Sequence, residues 1–140
     1  MHDRIKLLRK GTDHVVRASA QAQTVSEEAV VSRAVMRAAA RLSLSNKALA
    51  RILGLSEATV SRMGGGAYLL KSGDKAFELA LLFLRLFRSL DAIAGGDEQT
   101  ARAWLRNENL ALGGVPATLI ESVPGLVNVV GYLDARRALV

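Results

Sequence analysis

The run LSNKALARILGLSEATVSRMGGG, residues 44–66, constrains this chain more than any other. Ser45 and Ser56 are both suited to cap helix N-termini, and Gly54 stands just before the second of them. A glycine inside a helix costs about 1 kcal/mol against alanine. Directly after a helix, however, it takes up left-handed backbone without a side-chain clash. The spacing predicts a helix from Asn46 to Leu53 and another from Glu57 to Met63, meeting at Gly54 as a helix-turn-helix. The apolar positions agree. Leu49, Ala50 and Leu53 turn inward from the first helix, Leu55 from the turn, and Val60 and Met63 from the second, with small Ala50 at the closest approach. A helical hairpin packed inside an all-α protein would use the same inward positions.

The outward positions of the second helix separate the two readings. Ser56, Glu57, Ala58, Thr59, Ser61 and Arg62 are small, polar or basic, as a helix entering a major groove requires. Glu57 is able to accept from a cytosine amino group or simply to favour the positive end of its helix. Arg62 is able to read guanine or to hold a phosphate. Both pairs of roles stay open in the sequence. Charge favours nucleic acid: residues 1–75 hold 13 Lys/Arg against 6 Asp/Glu, a net of +7, whereas residues 76–140 hold 6 against 7, a net of −1. A polyanion partner suits the first half and a different role suits the second.

The remaining pattern is helical throughout. Ser26 before Glu27 and Glu28 marks a helix start, and the helix is expected to reach Leu42 with Val30, Val31, Ala34, Val35, Ala38 and Leu42 inward. Gly64, Gly65 and Gly66 end the second helix of the pair, and Ser72 or Asp74 caps a long helix from about Lys75 to Ala94. Further helices are expected over Thr100–Glu108, Pro116–Ser122 and Pro124–Arg137, with LALGG as a turn. VNVVGYL has a strand-like composition, but Pro124 before it and ARRAL after it favour a helix. The fold class is therefore all-α, divided into an arm or short helix over 1–25, a helix-turn-helix domain over 26–72 and a helical domain over 73–140. ELALLFLRLFRSL is apolar on almost every face, which suits a central core helix, an oligomer interface or both.

Several functions are disfavoured. The chain has no cysteine, so disulfides and thiolate metal sites are out, in keeping with a cytoplasmic protein. No secretory signal is visible, and the most apolar run, ELALLFLRLF, is too short to cross a bilayer. His2 and His14 lie in the poorly patterned N-terminus, and no carboxylate pair or metal-ligand spacing sits near a believable pocket. GGGAYLLKSGD carries glycines and Lys71 but lacks the strand–loop–helix setting of a phosphate loop. No cofactor, metal or catalytic residue is expected, and the chain is not read as an enzyme.

Residues 26–66 resemble the Xre/Cro-like class of bacterial helix-turn-helix repressors. Residues 101–133 resemble the C-terminal toxin-binding domain of the Xre/MbcA/ParS antitoxins, through Trp104-Leu105, Asn109, Leu112-Gly113-Gly114, Pro116, Leu119-Ile120, Gly125, Val129 or Val130, and Leu133. The likeness is closest to antitoxins paired with RES-domain toxins. It implies an antitoxin that blocks an NAD-degrading toxin, represses its own operon by binding operator DNA, dimerises, and joins a larger toxin–antitoxin complex. The toxin-facing end would be NVVGYLDARRALV, with Asn128, Tyr132, Arg136, Arg137 and Leu139 as contacts. Arg136 and Arg137 equally suit the negative end of a helix dipole. Trp104 and Leu105 would anchor their helix to the core, Asn109, Gly113 and Gly114 would form the turn through unusual backbone angles, and Gly125 would permit a close helix contact. Where many relatives carry a glycine near the end, this chain has Ala138. The alternative is a stand-alone helix-turn-helix regulator whose second half only dimerises.

Overall fold

The computed structural model describes residues 27–139, so the expected N-terminal arm and the Ser26 cap lie outside the described residues. Seven helices follow one another: α1 over 27–41, α2 Asn46–Leu53, α3 Glu57–Gly64, α4 Lys75–Ile93, α5 Glu98–Arg106, α6 Pro116–Leu119 and α7 Val123–Arg137. Among the described residues the β geometry is limited to an isolated bridge between Asn109 and Gly114. The all-α expectation holds.

In α1, Val31, Val35, Ala38, Ala39 and Leu42 are buried. Val30 was expected inward but is 60% exposed, and Ala34 is only half-buried. The inward stripe is filled by residues spaced four, three, one and three apart, which leaves Val30 a third of a turn off that face. The loop after α3 is tied back to α1. Ser32 Oγ donates to the Glu28 carbonyl at 2.7 Å and accepts from the Leu70 amide at 2.8 Å. The Glu28 carboxylate accepts from the Ser72 amide at 2.9 Å. Buried Ser32 therefore has a partner for its donor and its acceptor, and Leu70 enters the core beside it.

Helix α4 is a central core helix. Phe77, Leu79, Ala80, Phe83, Leu84, Leu86 and Leu90 are all buried, and the helix packs against α2 on one side and most extensively against α7 on another. Asp74 is its N-cap residue, although its side chain makes no capping bond. Asp134 of α7 accepts from Ser89 Oγ at 2.9 Å and pairs with Arg85, which fixes the register of the α4–α7 contact. One continuous core joins buried residues from both halves of the chain.

Three boundaries differ from expectation by two residues or more. Helix α5 starts at Glu98 because Asp97, and no later residue, caps it. Asp97 accepts from the Gln99 amide at 3.2 Å and from the Thr100 hydroxyl at 2.7 Å. Those bonds hold the Asp97 carboxyl below its ordinary value, the Thr100 hydroxyl contributing most. The same helix ends at Arg106, two residues early. Helix α6 is a single turn, because Ser122 is taken as the cap of α7, where its hydroxyl accepts from the Gly125 amide at 3.1 Å.

Two arginines of α5 reach back to the end of α1. Arg102 Nε donates to the Arg41 carbonyl at 2.7 Å, and Arg106 Nη2 donates to the Ser43 carbonyl at 3.3 Å. The first satisfies a carbonyl that the helix end leaves without an intrahelical partner, and the second a carbonyl of the turn that follows. Ser43 has φ of 55°, the one left-handed non-glycine backbone among the described residues. A further ion pair, Arg51 with Glu121 at 3.5 Å, joins α2 to the α6–α7 turn.

Candidate DNA-binding and partner-binding surfaces

The turn between α2 and α3 is built as the sequence requires. Gly54 has φ of 68°, and its amide donates to the Ala50 carbonyl. Ser45 Oγ accepts from the Ala48 amide and Ser56 Oγ from the Thr59 amide, both at 3.1 Å. Leu49, Ala50, Leu53, Val60 and Met63 are buried, with Leu55 half-buried in the turn and Ile52 joining them.

The outer side of α3 is organised by three of its own side chains. Ser56 Oγ and Thr59 Oγ1 share a hydrogen bond of 2.8 Å, and Arg62 Nη2 donates to Thr59 Oγ1 at 3.1 Å. Ser56 is thus committed to capping. Thr59, half-buried, positions Arg62 along the helix. Glu57, Ala58, Ser61 and Arg62 are exposed and present the free surface of this helix. The six residues singled out in the sequence fall on one helix and divide into two that hold the face together and four that display it.

The second group of candidates lies on α7. Asn128, Tyr132 and Arg136 occupy successive turns of one stripe, which Leu139 continues just past the helix end. Arg137 falls about half a turn away from Asn128, toward the side of Val130 and Leu133, so it is not part of that stripe. Tyr132 is held from outside its own helix: its ring stacks on Trp104 with centroids 6.2 Å apart and planes 24° from parallel. The Arg136 guanidinium stands over the Tyr132 ring at 5.1 Å. Both separations fall within the ranges of favourable aromatic and cation–π pairs.

A surface cavity of about 280 Å³ opens here, lined by Ile93, Trp104, Asn109, Tyr132, Leu133 and Arg136. Trp104 was expected to be a core anchor. It packs against the core while only half-buried and also lines this cavity, and its neighbour Leu105 is fully buried. Ile93, Trp104 and Asn109 were not anticipated as site residues. They come from three different elements, and no helical period relates them to Tyr132.

Asn109 also works differently from expectation. Its own backbone is not left-handed. Its Oδ1 accepts from the Leu112 amide at 3.1 Å, and Gly113, with φ of 77°, makes the reversal. Gly125 fulfils its role strictly: a Cβ there would lie 1.8 Å from the Leu119 carbonyl oxygen. Ala138 adopts φ of −64° and ψ of −22°, ordinary helical angles that need no glycine.

A groove of about 300 Å³ runs between α1 and α4, with Ala34, Ala38, Leu84 and Phe87 along it and Arg37, Arg41 and Arg88 at its sides. Val30 and Leu81, both exposed, extend its apolar strip one turn along each helix.

A short polar helix displayed by a tight helix-turn-helix, together with a separate cavity-bearing face on α7, gives the architecture of a helix-turn-helix protein with a second helical module. Residues 21–85 match the model of the antitoxin Xre-like helix-turn-helix domain. Residues 89–138 match that of the antitoxin Xre/MbcA/ParS C-terminal toxin-binding domain. No curated protein matches the chain. With both matches in sequence order, the chain belongs to the Xre-type antitoxins, and it is an antitoxin of a toxin–antitoxin system. No helix among the described residues is long and apolar enough to cross a membrane.

Proposed function

We propose that this antitoxin binds and blocks a RES-domain, NAD-degrading toxin through residues 73–140, and represses its own operon through residues 26–72. It acts by binding and not by catalysis, in the cytoplasm. The observation that carries the reading is the placement of two displayed faces on separate helices of one core: Glu57, Ala58, Ser61 and Arg62 on α3, and Asn128, Tyr132, Arg136 and Leu139 on α7. Operator DNA meets the first face, where Ser56 and Thr59 support the readout and Arg62 supplies a guanidinium. The toxin meets the second, with Arg137 at its margin.

A homodimer, and a larger assembly with toxin, belong to the same proposal. The outer strip of α1 supports it: Glu27 lies at one end, Val30 and Ala34 in the middle, and Arg37 and Arg41 at the other. An antiparallel copy would set the acidic end of one strip against the basic end of its mate, with apolar residues between, as an isologous interface requires. Two recognition helices would then meet a pseudo-palindromic operator at about 34 Å spacing or a multiple of it.

The test is co-purification with the product of the neighbouring gene, followed by NAD turnover by that partner with and without this chain. A stable complex that suppresses NAD loss is expected. No complex and no NAD chemistry would overturn the reading and leave a stand-alone helix-turn-helix regulator.

A further inference from the structure

The cavity at the α5–α7 junction has a composition that specifies what enters it. It is lined by apolar Ile93 and Leu133, aromatic Trp104 and Tyr132, and polar Asn109 and Arg136. Trp104 and Tyr132 are only half-buried although their rings are stacked. Each therefore keeps some surface accessible to a partner.

Among the described residues Arg136 has no carboxylate partner, whereas Arg85 and Arg102 each have one. Its guanidinium is held in place by the Tyr132 ring instead, which leaves the donors of its planar fork free. The surroundings are apolar on both flanks. Leu110, next to Asn109 in the turn, is 92% exposed, and Leu139, just past the end of α7, is 87% exposed. Aromatic walls, an arginine at the rim and exposed leucines on either side form the pattern of an interface anchor site.

We propose that this cavity is the seat of a toxin side chain: an aromatic or long aliphatic group enters against Trp104 and Tyr132, and a carboxylate close to it on the toxin pairs with Arg136. This rests on the reading of α7 as the toxin-facing helix, and it adds Ile93, Trp104 and Asn109 to the contact set. The apolar group suits the stacked rings and Leu133. The carboxylate suits an arginine that is already oriented and lacks an anionic partner, because a bidentate pair forms there with little further ordering of the side chain.

Trp104 is the chain's one tryptophan, so it reports on the cavity by itself. The full chain, labelled with 5-fluorotryptophan, is titrated with purified unlabelled toxin from the neighbouring gene, and affinity is measured in parallel for variants. The single fluorine resonance is expected to shift on binding. Tyr132→Ala and Arg136→Gln should each weaken the complex about tenfold or more, while Tyr132→Phe keeps the ring and binds within about twofold of the parent. Arg136→Glu should cost more than Arg136→Gln, because it sets like charges together.

Toxin binding with an unmoved resonance and unweakened variants would overturn the cavity assignment while leaving the antitoxin reading intact. Equal losses for Arg136→Glu and Arg136→Gln would overturn the carboxylate. Failure of the parent chain to bind the toxin at all would overturn both the cavity assignment and the reading beneath it.

Discussion

Helices α3 and α7 each carry a face proposed for a partner, and the two faces are assembled in opposite ways. On α3 the working side chains are arranged by neighbours on the same helix: Ser56, Thr59 and Arg62 hold one another at three-residue intervals. On α7 the arrangement is imported. Tyr132 is fixed by Trp104 of α5, and the cavity beside it takes further walls from α4 and the 109–114 turn. A face made locally keeps its geometry wherever the helix is placed. A face made by several elements exists only while their packing holds. Damage to packing around α7 should therefore cost partner binding before it costs anything on α3.

Gly125→Ala should have the largest effect. The new methyl group would collide with the Leu119 backbone, which has no flexible end to move aside. A loss of about 3 kcal/mol in unfolding free energy is expected, read from denaturant midpoints, with toxin affinity falling further than operator affinity. Equal retention of both would break the contrast between the two helices. Arg62→Ala should follow, at about 1–3 kcal/mol of operator binding, with toxin affinity and thermal midpoint unchanged. Parallel loss of DNA and toxin binding would show that the α3 face is not independent of the rest.

Gly131→Ala sharpens the comparison from the other side. Gly131 sits mid-helix on the exposed side of α7, and a Cβ there would meet nothing within 4 Å. Alanine should stabilise the free chain by about 0.5–1 kcal/mol and weaken the toxin complex, because the added methyl stands beside the Asn128–Tyr132 stripe proposed for the toxin. Calorimetry and a binding titration on one preparation separate the two effects. The smallest effect is expected at Asp97. Its carboxyl is held below its ordinary value by Thr100 and the Gln99 amide, so it favours the folded state above about pH 4. That contribution disappears as the pH falls through the lowered folded value. Asp97→Asn should flatten this acid limb slightly in a pH series of thermal midpoints, with α5 still formed by circular dichroism.

The same contrast explains what was legible in the sequence. The helix-turn-helix was readable because each determinant is local: a cap three residues from the amide it serves, a glycine at the one left-handed position, and apolar residues at helical spacing. Asn128, Tyr132 and Arg136 came from the family resemblance and not from spacing, and they fall on one stripe of α7. The cavity was not readable, because the chain separation between Trp104 and Tyr132 carries no periodic signal, and a lone tryptophan in an amphipathic helix looks like a core anchor. The boundary of α5 was missed when Thr100 was read as the start; the cap is Asp97, and Thr100 is its hydrogen-bond donor. Val30 was misplaced because a valine at the margin of an apolar stripe fits either side until the neighbouring helices fix which face is inward.

Helix α4 carries a consequence for how long the protein's two activities last. It gives core side chains to α2 on one side and α7 on the other. A transient opening of this helix unseats both faces in a single event, since neither half retains its inner wall. Cleavage of the chain in that open form would end the proposed repression and neutralisation together. The lifetime of the whole response is thus set by one helix that contributes none of the six residues proposed for DNA and only Ile93 to the cavity proposed for the toxin.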